Sequence, residues 1–142
     1  MKKFISGVLM AFLLSAGFVA VSAETASAAT CKPTKYVECQ TTSTKATPSP
    51  KVITQGKPAK VKVTVSTRGN VKARGTVTVK VTGPGGYKKT IKVHYSGKAV
   101  SINLGKLNKP GKYKIAVTFD GGDGFKDSKS TSTITVKKKK KR

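Results

Sequence analysis

Residues 60–65 read Lys-Val-Lys-Val-Thr-Val, and residues 112–119 read Lys-Tyr-Lys-Ile-Ala-Val-Thr-Phe. In both runs apolar and polar residues alternate, and the polar residue is very often lysine. Successive side chains of a strand point to opposite faces, so each run makes a strand with one dry face and one cationic, wet face. The device recurs from Lys60 to Val136 and no helical period interrupts it. The expected fold class is therefore all-β.

Working outward, seven strands are expected: Thr42–Thr47, Ala59–Ser66, Gly75–Thr82, Thr90–Tyr95, Ala99–Leu104, Lys112–Phe119 and Thr131–Lys137. Turn signals separate them: Gln55–Gly56, the Gly-Pro-Gly-Gly run at Gly83–Gly86, Ser96–Gly97 and Pro110–Gly111. Short strands at this spacing predict an antiparallel two-sheet sandwich. Pro48 and Pro50 confine the first strand to an edge, because proline cannot donate to a ladder. Alternation assigns an inward set: Val61, Val63, Val65, Val77, Val79, Val81, Ile91, Val93, Tyr95, Val100, Ile102, Leu104, Tyr113, Ile115, Val117, Phe119, Ile134 and Val136.

The N-terminus has a different composition. Lys2 and Lys3 precede an apolar, small-residue run from Phe4 to Val21, and small-residue cleavage sites follow at Ala28 and, alternatively, Ala23. This is the pattern of a secretory signal peptide. Ser6, Gly7, Ser15 and Gly17 dilute the run too much for a good membrane anchor, and no later segment is apolar enough to cross a bilayer. The expected organisation is a signal peptide over 1–28, a disulfide-looped segment over 29–41, a sandwich over 42–137 and a basic disordered tail over 138–142. The expected location is extracellular, with cell-surface association.

Cys31 and Cys39 are the two cysteines of the chain. In an exported protein they are expected to form one disulfide, restricting the unfolded chain by roughly 2–3 kcal/mol in the entropy model. A lipid-anchored Cys31 fits less well, because Thr30 stands where a smaller residue is wanted. Zinc fits no better, since His94 is the sole histidine.

Formal charge is +24, and loss of the signal with Lys2, Lys3 and Glu24 leaves +23. After Glu38 the acids are Asp120, Asp123 and Asp127, all in one short stretch. Arginine occurs only at Arg68, Arg74 and Arg142, so the coat is lysine. Lysine is a hydrated point charge without the planar fork that reads phosphate or guanine bidentately. Such a coat attracts polyanions loosely, without regard to sequence and in a salt-sensitive way.

Between Thr42 and Lys137 the chain resembles the bacterial immunoglobulin-like repeat domains of secreted and surface proteins. The residues that carry the resemblance fall in order: Thr47–Pro50 with Gln55–Val65, the Arg74–Val81 strand, the Leu107–Gly122 segment with Phe125 and Ser128 beyond it, and the closing Ser130–Val136 strand. The resemblance implies an Ig-like sandwich and a non-enzymatic spacer or adhesion module. It also gives Tyr113 the role of a structural tyrosine corner, its hydroxyl bonding backbone upstream. The chain departs from the family in its single copy and its lysine coat, and fold alone names no ligand.

No constellation for catalysis is present. There is no paired glutamate, no Cys/His pair and no nucleophile motif, and His94 alternates with inward Val93 and Tyr95, so it faces solvent. Asp120, Asp123 and Asp127 among Gly121, Gly122 and Gly124 read as a polar hairpin loop rather than a calcium site. No catalytic residue, metal or cofactor is expected. The candidate polyanion-binding residues are Lys137, Lys138, Lys139, Lys140, Lys141 and Arg142 of the tail, with Lys80, Lys112 and Lys114 on one sheet. Lys60, Lys62 and Lys92 are expected on the opposite outer face. The expected partner of this monomer is an anionic cell-wall polymer or another polyanion. The alternatives are a structural or protein-binding module whose charge maintains solubility, and sequence-independent DNA binding, for which exposed stacking aromatics are few.

Overall fold

A computed structural model describes residue 31, residues 38–122 and residues 124–140. The expected signal peptide, Asp123, Lys141 and Arg142 lie outside the described residues. Eight strands among the described residues form two sheets. The smaller contains β1 (Thr42–Ser49), β3 (Pro58–Thr67) and β6 (Val100–Lys106) in the order β1-β3-β6. The larger contains β2 (Val52–Thr54), β4 (Gly75–Gly83), β5 (Tyr87–Tyr95), β7 (Gly111–Gly121) and β8 (Ser128–Lys137) in the order β2-β8-β7-β4-β5. The molecule is a β-sandwich. Its β1-β3-β6 and β8-β7-β4 pairings are those of the A-B-E and G-F-C strands of immunoglobulin-type sandwiches.

Seven strands were expected, and the eighth is β2. After β1 the chain crosses to the other sheet, where Val52–Thr54 pairs parallel with Thr135–Lys137 of β8. A three-residue strand carries too little pattern to be read from alternation. The other strands extend past their expected bounds by one to three residues, except that β6 begins at Val100, one residue after the expected Ala99. β5 starts three residues early, at Tyr87, directly after a single 3-10 turn over Pro84–Gly86. Gly85 and Gly86 sit in the left-handed region there, at φ 66° and 75°, which turns the chain back sharply enough for β5 to pair with β4.

The inward set forms the core, with three exceptions. Ile91 and Val93 of β5 and Val100 at the start of β6 are only partly buried, because they line the edges where neither sheet fully covers the other. The core also takes in Ile53, Ala59, Ala73, Leu107 and Phe125, which alternation did not assign. Burial of each large apolar side chain contributes on the order of 1.5–3 kcal/mol, largely offset by chain entropy.

Two tyrosines tie backbone to this core. The Tyr113 hydroxyl donates to the Lys109 carbonyl at 2.9 Å and accepts from the Lys109 N–H at 3.3 Å, fixing the turn that enters β7. Gly83 lies beneath the Tyr113 ring, and a Cβ there would strike it. Tyr95 does the same between sheets. The β3–β6 ladder stops at Val63 paired with Val100, and two residues further on the Tyr95 hydroxyl accepts from the Val65 N–H at 2.9 Å and donates to its carbonyl at 3.3 Å. Both rings are held edge-on by a neighbour, Tyr113 by Tyr87 at 5.4 Å and Tyr95 by Phe119 at 5.8 Å.

Candidate polyanion-binding surface

Register places the lysines of the larger sheet in rows across its outer face. One row runs Lys88, Thr82, Lys114, Thr133 from β5 to β8; the next runs Thr90, Lys80, Ala116, Thr131. A third runs Lys92, Thr78, Thr118, Lys129. Neighbours lie roughly 4.8 Å apart across strands and roughly 6.8 Å apart along them. Threonine separates the lysines within a row, so their like charges do not sit directly opposite one another. Lys92 belongs to this face and not to that of Lys60 and Lys62. The short turn at Pro84–Gly86 makes β5 the hairpin partner of β4, which carries Lys92 into the larger sheet.

The carboxylates, though not the cations, are segregated along the strand axis; Arg68, Lys72, Arg74, Lys98 and Lys126 share the carboxylates' end. Glu38, Asp120 and Asp127, the described carboxylates, all lie at the end where the disulfide segment and the β7–β8 loop meet. At the opposite end stand Lys57, Lys88, Lys106, Lys109 and Lys112, all exposed, and there β8 runs out into exposed Lys137–Lys140. That end carries no acid among the described residues. Lys112 and Lys114 stand beside the strand that leads into the tail, since Lys112 pairs with Thr135 and Lys114 with Thr133. The structure thus brings Lys112 and Lys114 to the tail's end of the sheet, with Lys80 one row behind.

At one flank β1 meets β8 through side chains. Thr42 and Thr44 bond the Ser128 hydroxyl at 2.8 and 2.6 Å, and the Ala46 N–H donates to the Ser130 hydroxyl at 3.3 Å. The next inward hydroxyl of β8, Ser132, has no partner and its oxygen is buried. At the other flank the Lys89 ammonium crosses from β5 to the Leu104 carbonyl of β6 at 3.0 Å. These polar bridges were missed by sequence reading, although the hydroxyls at every inward position from Ser128 to Ser132 were the signal for the first.

The acidic end has a structural explanation. The Asp127 carboxylate accepts from the Gly121 N–H at 2.9 Å and closes the β7–β8 loop. Gln40 docks on the same loop, its N–H donating to the Gly124 carbonyl at 2.8 Å and its carbonyl accepting from Lys126 at 2.9 Å. Cys31 is joined to Cys39 beside it. No group of three His, Cys, Asp or Glu is gathered among the described residues, and His94 is exposed. No helix among them is long and apolar enough to cross a membrane.

A shallow cavity of about 250 Å³ between Tyr87, Tyr113, Pro84 and Lys109 lies at the basic end. Burial there raises the Tyr87 hydroxyl above its ordinary pKa of 10.0, and the charge of neighbouring Tyr113 adds to the rise.

No protein-family model matches this chain, and no curated protein matches it. Solved structures share its general form. A β-glucosidase from Listeria innocua aligns over 67% of this chain at 16% identity and a TM-score of 0.43, and this chain spans 16% of that enzyme's length. The CARDB domain of a Pyrococcus furiosus protein, solved in complex with di-metal ions, aligns over 75% of this chain and 94% of its own length, at 20% identity and a TM-score of 0.43. A sporulation control protein from Bacillus subtilis aligns over 68% of this chain and 49% of its own length, at 11% identity and a TM-score of 0.42. Likenesses at this level carry no argument about what this chain binds.

Proposed function

We propose that this chain is an exported, non-enzymatic Ig-like module that associates electrostatically with anionic polymers of a bacterial cell surface. The observation that supports this best is the basic end of the sandwich. Exposed lysines of five different loops and strands gather there around the root of the Lys137–Arg142 tail, while the described carboxylates stand at the far end. The tail end, where no described carboxylate offsets the lysines, is the end presented to a polyanionic surface. The interaction is lysine-based and diffuse, so it discriminates by charge density and not by base sequence.

The test is a salt titration of affinity for purified anionic wall polymer. With about six phosphate contacts, affinity falls on the order of a thousandfold between roughly 50 and 200 mM salt, because each neutralised phosphate releases counterions. A flat salt dependence, or negligible binding at the lowest salt, rejects the reading and leaves the lysines as a solubilising coat.

A further inference from the structure

We propose that the flank between β1 and β8 is a groove for a linear phosphodiester polymer with small polyol repeats. The proposal rests on the polyanion association above and names the polymer chemistry and the site.

The first support is convergence. Lysines on opposite outer faces of a sandwich cannot reach one ligand, except where an open flank lets the faces meet. Lys45 comes from the outer face of the smaller sheet and Lys51 from the crossover to β2, and both line a concavity of about 500 Å³ with Thr47, Pro48, Ser132 and Thr133. Lys112 and Lys114 of the larger sheet line a second concavity of about 240 Å³ with Thr131, Ser132 and Thr133. Ser132 and Thr133 line both, so the two concavities adjoin across β8, and together they make the proposed trough.

The second support is why the trough exists. The Thr42 and Thr44 hydroxyls bonding Ser128, and the Ala46 N–H donating to the Ser130 hydroxyl, hold β1 against β8 as far as Ser130. β1 then leaves for its sheet crossing, and β2 covers β8 only over Thr135–Lys137. Ser132 lies in the interval, and its unpaired hydroxyl marks where the two strands separate. That oxygen is covered, so it forms the floor and is not counted as a ligand contact.

The third support is chemistry. The walls offer ammonium groups and threonine hydroxyls and no carboxylate. Phosphodiester oxygens only accept hydrogen bonds, which suits lysine, while hydroxyls that both donate and accept suit the polyol between phosphates. No aromatic ring lines the trough, so neither a nucleobase nor the apolar face of a sugar ring has a stacking platform. What remains is a flexible charged chain without rings.

The test uses the intact secreted chain, with poly(glycerol phosphate), single-stranded DNA and polygalacturonate matched in charge as probes. Two double variants remove equal charge: Lys45→Gln with Lys51→Gln in the trough, and Lys92→Gln with Lys129→Gln on the larger sheet outside it. The expected result is a preference for poly(glycerol phosphate) of about tenfold or more. The trough variant then loses roughly tenfold for that polymer and lowers the salt slope by about two phosphate contacts, while the control loses less than about threefold. Equal losses in the two variants, or affinities that follow charge alone across the three polymers, overturn the trough and leave general polyanion association standing. Absence of binding to all three at low salt overturns both. Thermal melts of each variant verify that the fold is intact.

Discussion

Replacing Tyr95 with phenylalanine removes one oxygen and leaves the ring. Tyr95 is 1% exposed, and its hydroxyl satisfies both the N–H and the carbonyl of Val65 where β6 no longer reaches β3. The substitution therefore strands a buried donor and a buried acceptor together. An orphaned buried polar group costs about 1–3 kcal/mol, and the 3.3 Å bond is the weaker of the two, so a total of about 2–4 kcal/mol is expected. For a sandwich near 100 residues this lowers Tm by roughly 10–20 °C. The edge contact of the ring with Phe119 at 5.8 Å is retained, so the area exposed on unfolding, and with it the urea m-value, stays constant. Urea and thermal unfolding of Tyr95→Phe measure both quantities. A Tm within about 3 °C of the parent refutes the argument that this hydroxyl substitutes for a missing strand.

Tyr113→Phe is expected to cost less, about 1–2 kcal/mol, because its hydroxyl serves a part-buried turn; a larger loss than for Tyr95→Phe reverses the assigned ranking. Ser132→Ala removes a buried hydroxyl that has no partner, so the melting temperature should hold or rise by a few degrees, and a loss above about 1 kcal/mol indicates a bond at that oxygen. Tyr87 is held protonated in the folded state first by burial and second by Tyr113. Its contribution to stability is therefore present below the unfolded pKa near 10 and lost as pH rises through the raised folded value. The stability difference between the parent and Tyr87→Phe should be constant from neutral pH to about 9.5 and shrink above it; a difference that grows with pH contradicts the sign.

Strict alternation made β3, β4 and β7 legible, because a one-residue slip would turn every valine to solvent. Three kinds of feature escaped it. Leu107, Ala73 and Phe125 sit outside regular strands, where no period marks an inward position. Ile91 and Val93 alternate correctly yet are only partly buried, since burial also depends on the opposing sheet, and β5 lies at an edge. Lys92 reached the opposite face from the one expected because face follows from strand pairing, which the Pro84–Gly86 turn decides. The candidate surface divides the same way. Lys80, Lys112 and Lys114 were legible as outward lysines of one sheet. The approach of Lys112 and Lys114 to Lys45 and Lys51 on either side of β8 was not, because residues so distant in sequence become neighbours only through the sheet crossing after Ser49.

In the proposed function, the basic end and its tail hold the protein on anionic polymer. The most direct test is retention of the intact chain on immobilised phosphate-rich wall polymer at roughly physiological salt, beside a form lacking Lys137 to Arg142. Val136 is the last inward residue of β8, so the shortened form keeps its core. The intact chain should be strongly retained, and the shortened one markedly less so, with a shallower salt slope. Equal and negligible retention of both contradicts the proposed function.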